Sequence, residues 1–285
     1  MFEYGIIQAL QQWSAPWLDR LFIIITFSGE EDFYLILLPL LFWVVDRQIG
    51  ARVIVLFLAS MFLNQAVKDY LTMPRPDPAQ VRVLFEESGV GYGFPSGHAQ
   101  GTLTLWGYLA YRWAVRPLII FAAVLVPLVG LSRVYLGLHF PSDVLGGWAL
   151  AGLLIAGFVL AERHLSGLRS RSLAIALLPL LALLVYRDAD AYKIVGYAVG
   201  FLAGYGTGTA LAGEARGGGA VRLVLKVVVG FAGFELLRQV TGMITPDGPW
   251  QVLRYAVVGI WAADLAPRLF QRSGLEPAAD RGTAA

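Results

Sequence analysis

The chain has 285 residues, 57% of them hydrophobic and only 15% charged, with a mean hydropathy of +0.64; a soluble domain carries about 25% charged residues. A net charge of +2 without any basic block argues against a nucleic-acid partner, and the absence of cysteine removes disulfides, thiolate metal sites and cysteine nucleophiles together. Residues 144–161 and 194–213 carry no charge. Roughly 20 helical residues cross a bilayer core, so the composition reads as an integral membrane protein.

In chain order, apolar runs predict helices at 5–27, 31–46, 50–71, 97–114, 117–135, 143–162, 171–187, 192–213, 220–240 and 250–270. Asp19 and Arg20 interrupt the first. Residues 2–14 can therefore lie in the interface while 17–28 cross only in part, which gives nine or ten spans. The N-terminus has Glu3 and no basic region, so no cleavable signal is expected. Arg47 with Arg52, Arg112 with Arg116, Arg163 with Arg169 and Arg171, Arg216 with Arg222, and Arg268 with Arg272 fall on alternate loops. The other loops carry Glu30, Glu31 and Asp32, then Asp188 and Asp190, then Asp247. Lys and Arg accumulate on the cytoplasmic side, which places the acidic loops outside.

No internal repeat is visible. The expected organisation is a motif-bearing part at 1–165, a hydrophobic extension at 166–272 with four further segments, and a disordered tail at 273–285. Residues 214–219 read as a flexible loop. Most tryptophans, among them Trp13, Trp17, Trp43 and Trp250, read as interfacial anchors. Gly196, Gly200, Gly204, Gly206 and Gly208 read as a close helix-packing stripe, and Glu235 and Arg238 as a pair with one another. Arg82 and the acids around it read as a solvated outer loop.

Three polar clusters collect at the outer ends of apolar helices: Lys68 through Arg75 and Pro76; Pro95-Ser96-Gly97-His98; and Ser132-Arg133 followed by His139 and Asp143. Ionisable residues at a membrane edge default to a functional reading. Lys68, Arg75 and Arg133 suit a phosphate, because Arg gives planar bidentate hydrogen bonds and Lys a point charge. Ser96 and Gly97 open a helix whose free N–H groups suit an anion. His139 and Asp143 are four apart and share a helical face. The carboxylate can hold one ring nitrogen and leave the other free to attack, as in a triad. His98 can protonate a departing oxygen. His164 lies on the arginine-rich side and has no part in this scheme. Each residue also has an ordinary reading: snorkelling for Lys68 and Arg75, an interfacial hydrogen bond for His98, a helix-end anchor for Arg133, an N-cap for Asp143. Three clusters in order, on one membrane face, argue against all of these holding together.

The pattern Lys-x6-Arg-Pro, Pro-Ser-Gly-His, Ser-Arg-x5-His-x3-Asp resembles the three-part signature of the type 2 phosphatidic acid phosphatase (PAP2) superfamily, and every signature position is matched. The resemblance covers about residues 1–165. It implies an all-α transmembrane bundle with a six-helix core plus about four C-terminal helices. It implies a phosphohistidine on His139, His98 as proton donor, and a phosphate held by Lys68, Arg75, Ser96, Gly97, His98 and Arg133, with no metal or cofactor. The implied partner is a phosphorylated lipid: phosphatidic acid, phosphatidylglycerophosphate or an undecaprenyl-type diphosphate. Hydrolysis is expected at the outer face of a membrane, for which a bacterial plasma membrane fits. The extended C-terminal half, and loosely residues 1–78, resemble the glucose-6-phosphatase branch, so a sugar phosphate is the alternative substrate. A phosphotransferase is a further enzymatic alternative. A non-catalytic lipid transporter or flippase is the alternative of another class. No pattern indicates an oligomeric state.

Overall fold

The computed structural model describes residues 2–162, 168–207, 219–244 and 246–276, and the described residues form helices, turns and loops with no strand. The first predicted helix is two: α1 (Phe2–Gln11) and α2 (Pro16–Phe27). Pro16 is the reason. It stands at the start of α2, and Ala15 before it is extended, at φ −146° and ψ 152°, because the ring disfavours helical backbone in the preceding residue. Next come α3 (Glu31–Leu40), which runs into a π-helical turn at Leu41–Val45, and α4 (Arg47–Leu71). The helix predicted at 97–114 is α5 (Gly97–Thr102), a π-helical turn at Leu103–Gly107, and α6 (Tyr108–Trp113). α7 (Arg116–Tyr135) and α8 (Pro141–Glu162) follow. The helix predicted at 171–187 divides into α9 (Leu168–Ile175) and a 3-10 segment at Leu178–Leu184. Pro179 cannot donate a backbone hydrogen bond at that point. α10 (Ala189–Thr207), α11 (Ala220–Ile244), α12 (Gln251–Ile260), a π-helical turn at Trp261–Leu265 and α13 (Ala266–Arg272) complete the order. Among the described residues, α4, α7 and α8 are long and apolar enough to cross a membrane.

The chain divides into two compact units that are not contiguous in sequence: Met1–Ile36 with Ala59–Ala161, and Leu37–Leu58 with Glu162–Ala285. In the first, Ile7 of α1 is buried with Val81, Ala99, Val134 and Val144. Phe22 of α2 is buried with Tyr135, Leu136 and Leu138. These two clusters flank the segments that carry the three motifs. Gln11 fastens α1 in place through hydrogen bonds from its Nε2 to Arg82 O (2.7 Å) and Tyr135 O (2.9 Å). Arg82 is not merely a solvated cation, because it pairs with Asp19 at 2.9 Å.

In the second unit, α10 packs along α12. Gly196 and Gly200 make that approach: a Cβ on Gly200 would lie 2.0 Å from Ala256 O, and one on Gly196 would lie 2.6 Å from Val252 O. Trp43 is not at an interface. It is fully buried, and its indole N–H donates to Ala262 O at 2.8 Å. Arg47, read from sequence as a loop cation, is buried against Glu276, whose carboxylate also pairs with Lys226 at 2.7 Å. The tail expected from 273 therefore has an ordered start, with Leu275 and Glu276 buried. Glu235 and Arg238 form the expected pair, at 2.8 and 2.9 Å. His164, Arg163, Gly208, Arg216, and most of the 214–219 loop and of the tail lie outside the described residues.

Candidate active site

The signature residues come together within the first unit, each placed by a helix end. α7 ends at Tyr135 and α8 begins at Pro141; the turn between them carries His139. Asp143, in the first turn of α8, reaches back: its Oδ2 accepts from Phe140 N at 2.9 Å and lies 3.2 Å from His139 Nδ1. Reaching back to an N-cap N–H is the geometry of a capping box. The capping reading and the orienting reading of Asp143 are therefore one arrangement.

The other ring nitrogen, His139 Nε2, lies 2.9 Å from Arg75 Nη1. A guanidinium only donates, so Nε2 is the acceptor and the ring proton sits on Nδ1, facing Asp143. His139 is 1% exposed. Burial, then the nearby charges of Arg75, Arg133 and Lys68, hold its pKa well below the usual histidine value. At neutral pH it is an uncharged imidazole with a lone pair on Nε2.

The three cations share one set of acceptors. Lys68, in the last turn of α4, donates to Tyr92 O at 2.8 Å. Arg75 donates to Gly91 O, Val90 O and Leu138 O at 2.9, 2.9 and 2.7 Å. Burial lowers the Arg75 pKa to about 10, which leaves it cationic at neutral pH. Arg133, fully buried in α7, donates to Thr26 Oγ1 (2.8 Å), Ser88 Oγ (2.6 Å) and Ser88 O (2.6 Å). Segment 88–92 thus lays four carbonyl oxygens and a hydroxyl against the lysine and the two arginines. Oxygen acceptors ringed by fixed cations are the arrangement a phosphate would reproduce.

At the start of α5, Ser96 Oγ accepts from Ala99 N as an N-cap. Ser96 N donates to Asp143 O at 2.9 Å, so the anion donors expected here reduce to the N–H groups of Gly97 and His98. His98 Nε2 lies 3.3 Å from Ser88 Oγ and 3.1 Å from Glu30 Oε1. Sequence reading missed Glu30, Ser88 and Thr26. Glu30 was visible as one acid of an outer loop, on the same side as the motifs, but nothing in its spacing pointed to His98. Ser88 and Thr26 carried no signal.

Two family models match the chain: one described as PAP2 superfamily, over residues 50–165, and one described as PAP2 superfamily phosphatase, transmembrane extension, over 192–280. Sphingosine-1-phosphate phosphatase 2 of Homo sapiens is 35% identical over 133 residues, 45% of this chain and 33% of that protein. Phosphatidylglycerophosphatase B of Bacillus subtilis (strain 168) is 35% identical over 154 residues, 49% of this chain and 72% of that protein. A crystal structure of a transmembrane PAP2-type phosphatidylglycerolphosphate phosphatase from Bacillus subtilis superposes with a TM-score of 0.51 and 28% identity, covering 58% of this chain and 86% of that one. The chain thus spans about a third of the human relative and most of the bacterial ones.

Proposed function

The chain belongs to the PAP2 superfamily, and on that premise we propose that it is an integral membrane phosphatase hydrolysing a lipid phosphate or diphosphate through a phosphohistidine. The observation that carries this reading is His139: a buried, neutral imidazole oriented by Asp143, with its Nε2 lone pair facing the guanidinium of Arg75. As phosphate enters, Lys68, Arg75 and Arg133 exchange the acceptors of segment 88–92 for its oxygens. The Nε2 lone pair is thereby released to attack phosphorus. Asp143 stabilises the charge that develops on the ring, and the N–H groups of Gly97 and His98 complete the oxyanion shell. His98 protonates the leaving oxygen, and water then cleaves the P–N bond.

Catalysis is assigned to residues 1–165. Residues 166–272 form a membrane extension, a reading supported by the transmembrane-extension model over 192–280. A lipid substrate fits a site built at helix ends beside the apolar surfaces of α7 and α8, where Leu131 and Leu145 are exposed. The relatives favour phosphatidylglycerophosphate or a sphingoid-base phosphate. The location proposed is a bacterial plasma membrane with the site on the non-cytoplasmic side.

The test is phosphate release by purified full-length protein in detergent with EDTA. Substrates would be phosphatidic acid, phosphatidylglycerophosphate, a sphingoid-base phosphate, an undecaprenyl-type diphosphate and glucose 6-phosphate. Release from one or more lipids is expected, with His139→Ala lowered by roughly a thousandfold or more, as removal of a nucleophile does elsewhere. Undiminished release by His139→Ala would overturn the phosphohistidine reading, and preference for glucose 6-phosphate would overturn the lipid.

A further inference from the structure

His98 is the leaving-group acid of the reading above, and its surroundings reveal a partner outside the three motifs. Glu30 lies in the turn between α2 and α3, and its Oε1 is 3.1 Å from His98 Nε2. That oxygen is buried and makes no hydrogen bond of good geometry among the described residues, with the His98 ring nitrogen as the polar group facing it. Buried acceptors are satisfied in native structures, and a proton on His98 Nε2 would supply the donor this oxygen lacks. A carboxylate beside the ring also favours the doubly protonated imidazolium, which is the form able to give up a proton.

Independent support comes from the backbone. Gly29 packs on the same imidazole: a Cβ there would lie 2.7 Å from His98 Cδ2 and 3.0 Å from His98 Cβ. Only a residue without a side chain lets the 28–30 turn close this far onto the ring. Burial acts to raise the Glu30 pKa, but His98, Ser88 and Arg133 together hold it below the ordinary glutamate value; the carboxyl is ionised at neutral pH. Burial first, then the cations Arg133 and Arg75, disfavour a charge on the ring, and Ser88 offers only a hydroxyl. Among the described residues, Glu30 is the anion that acts on the ring.

We infer that Glu30 is a positioning residue for leaving-group protonation, holding the His98 ring in place and opposing the two arginines that disfavour a proton on it. The inference rests on the phosphohistidine reading. In the first step the His139 Nε2–P bond forms, the P–O ester bond breaks with its electron pair on the departing oxygen, and His98 gives that oxygen its proton. In the second, a water oxygen bonds to phosphorus, His98 takes the water's proton, and the P–N electron pair returns to His139. Glu30 remains a carboxylate throughout and touches no reacting atom.

The experiment compares two esters on wild type, Glu30→Gln and Glu30→Asp, with His139→Ala as blank. One is an alkyl phosphate, whose alkoxide must be protonated as it leaves. The other is 4-nitrophenyl phosphate, whose phenolate leaves without a proton. Glu30→Gln is expected to lower kcat for the alkyl ester by about tenfold or more, a fraction of what a general acid contributes. KM should be little changed and kcat for the nitrophenyl ester less affected. Glu30→Asp should recover part of the loss. Equal losses on both esters, or no loss on either, with an active wild type would overturn the role of Glu30 and leave the phosphatase reading intact. Wild-type turnover no greater than that of His139→Ala would overturn both.

Discussion

Arg75 uses every face of its guanidinium: Nε to Gly91 O, Nη2 to Val90 O, and Nη1 to both Leu138 O and the nucleophilic nitrogen of His139. A lysine could reach one of these acceptors but could not hold the fork, because its three donors radiate from a single atom. Arg75→Lys is therefore expected to lose on the order of a hundredfold or more in kcat/KM, the scale for a preorganised oxyanion donor. Assay against the His139→Ala background checks it, and near-wild-type turnover would show that charge alone suffices at this position. The sequence made Arg75 legible because its spacing from Lys68 and its neighbour Pro76 form a recognisable pattern. Glu30 lacked any such pattern. Its partner is 68 positions away along the chain, a proximity created only when α2, α3 and α5 pack together. Single polar residues become interpretable once the fold has chosen their neighbours.

Between α4 and the helix that begins at Gly97 runs a buried chain of polar side chains. Asn64 Nδ2 donates to Gln100 Oε1 at 2.8 Å and to Pro95 O at 3.3 Å. Gln100 Nε2 donates to Ser60 O and Oγ at 2.8 and 2.9 Å, and Ser60 Oγ lies 2.9 Å from Thr104 Oγ1. These bonds tie the last turns of α4, which carry Lys68, to the turn that presents Ser96 and His98. With no water in an apolar interior, each group must find its partner in the protein. Gln100→Leu keeps the bulk but strands Asn64, which should cost about 1–3 kcal/mol. The expected result is a thermal midpoint lowered by a few degrees in detergent, with reduced turnover as His98 loses its registration. An unchanged midpoint together with unchanged turnover would mean that the chain does not hold the two helices in register. Helix positions were largely readable from apolar runs; the division of the first run was expected from Asp19 and Arg20, whereas the break at Pro179 was passed over. The polar chain was not, because isolated Ser, Asn and Gln residues in apolar helices leave no periodic trace.

At the scale of the molecule, the least legible feature was the C-terminal segment. Composition marked 273–285 as tail, yet Glu276 is buried between Arg47 and Lys226, partners 229 and 50 positions away that no local pattern connects. Orientation in the membrane, by contrast, was argued from loop charge, and α7 now gives that argument a length. Its 20 residues span about 30 Å at 1.5 Å per residue, the thickness of a hydrocarbon core. Arg116 stands at one end and Arg133, against the site, near the other. With Arg112 and Arg116 held on the cytoplasmic side, the site is expected to open on the opposite face. The absence of cysteine makes this directly measurable, since any introduced thiol is the only one present. Ala79→Cys, exposed on the loop between Arg75 and His98, should react with a membrane-impermeant maleimide in intact cells. Val115→Cys, at the Arg116 end, should react only after permeabilisation. The reverse pattern would turn the site to the cytoplasm, and the enzyme would then draw its lipid from the inner leaflet. The expected pattern restricts it to phosphates that have already reached the outer leaflet, so its turnover in cells would depend on whatever carries them across.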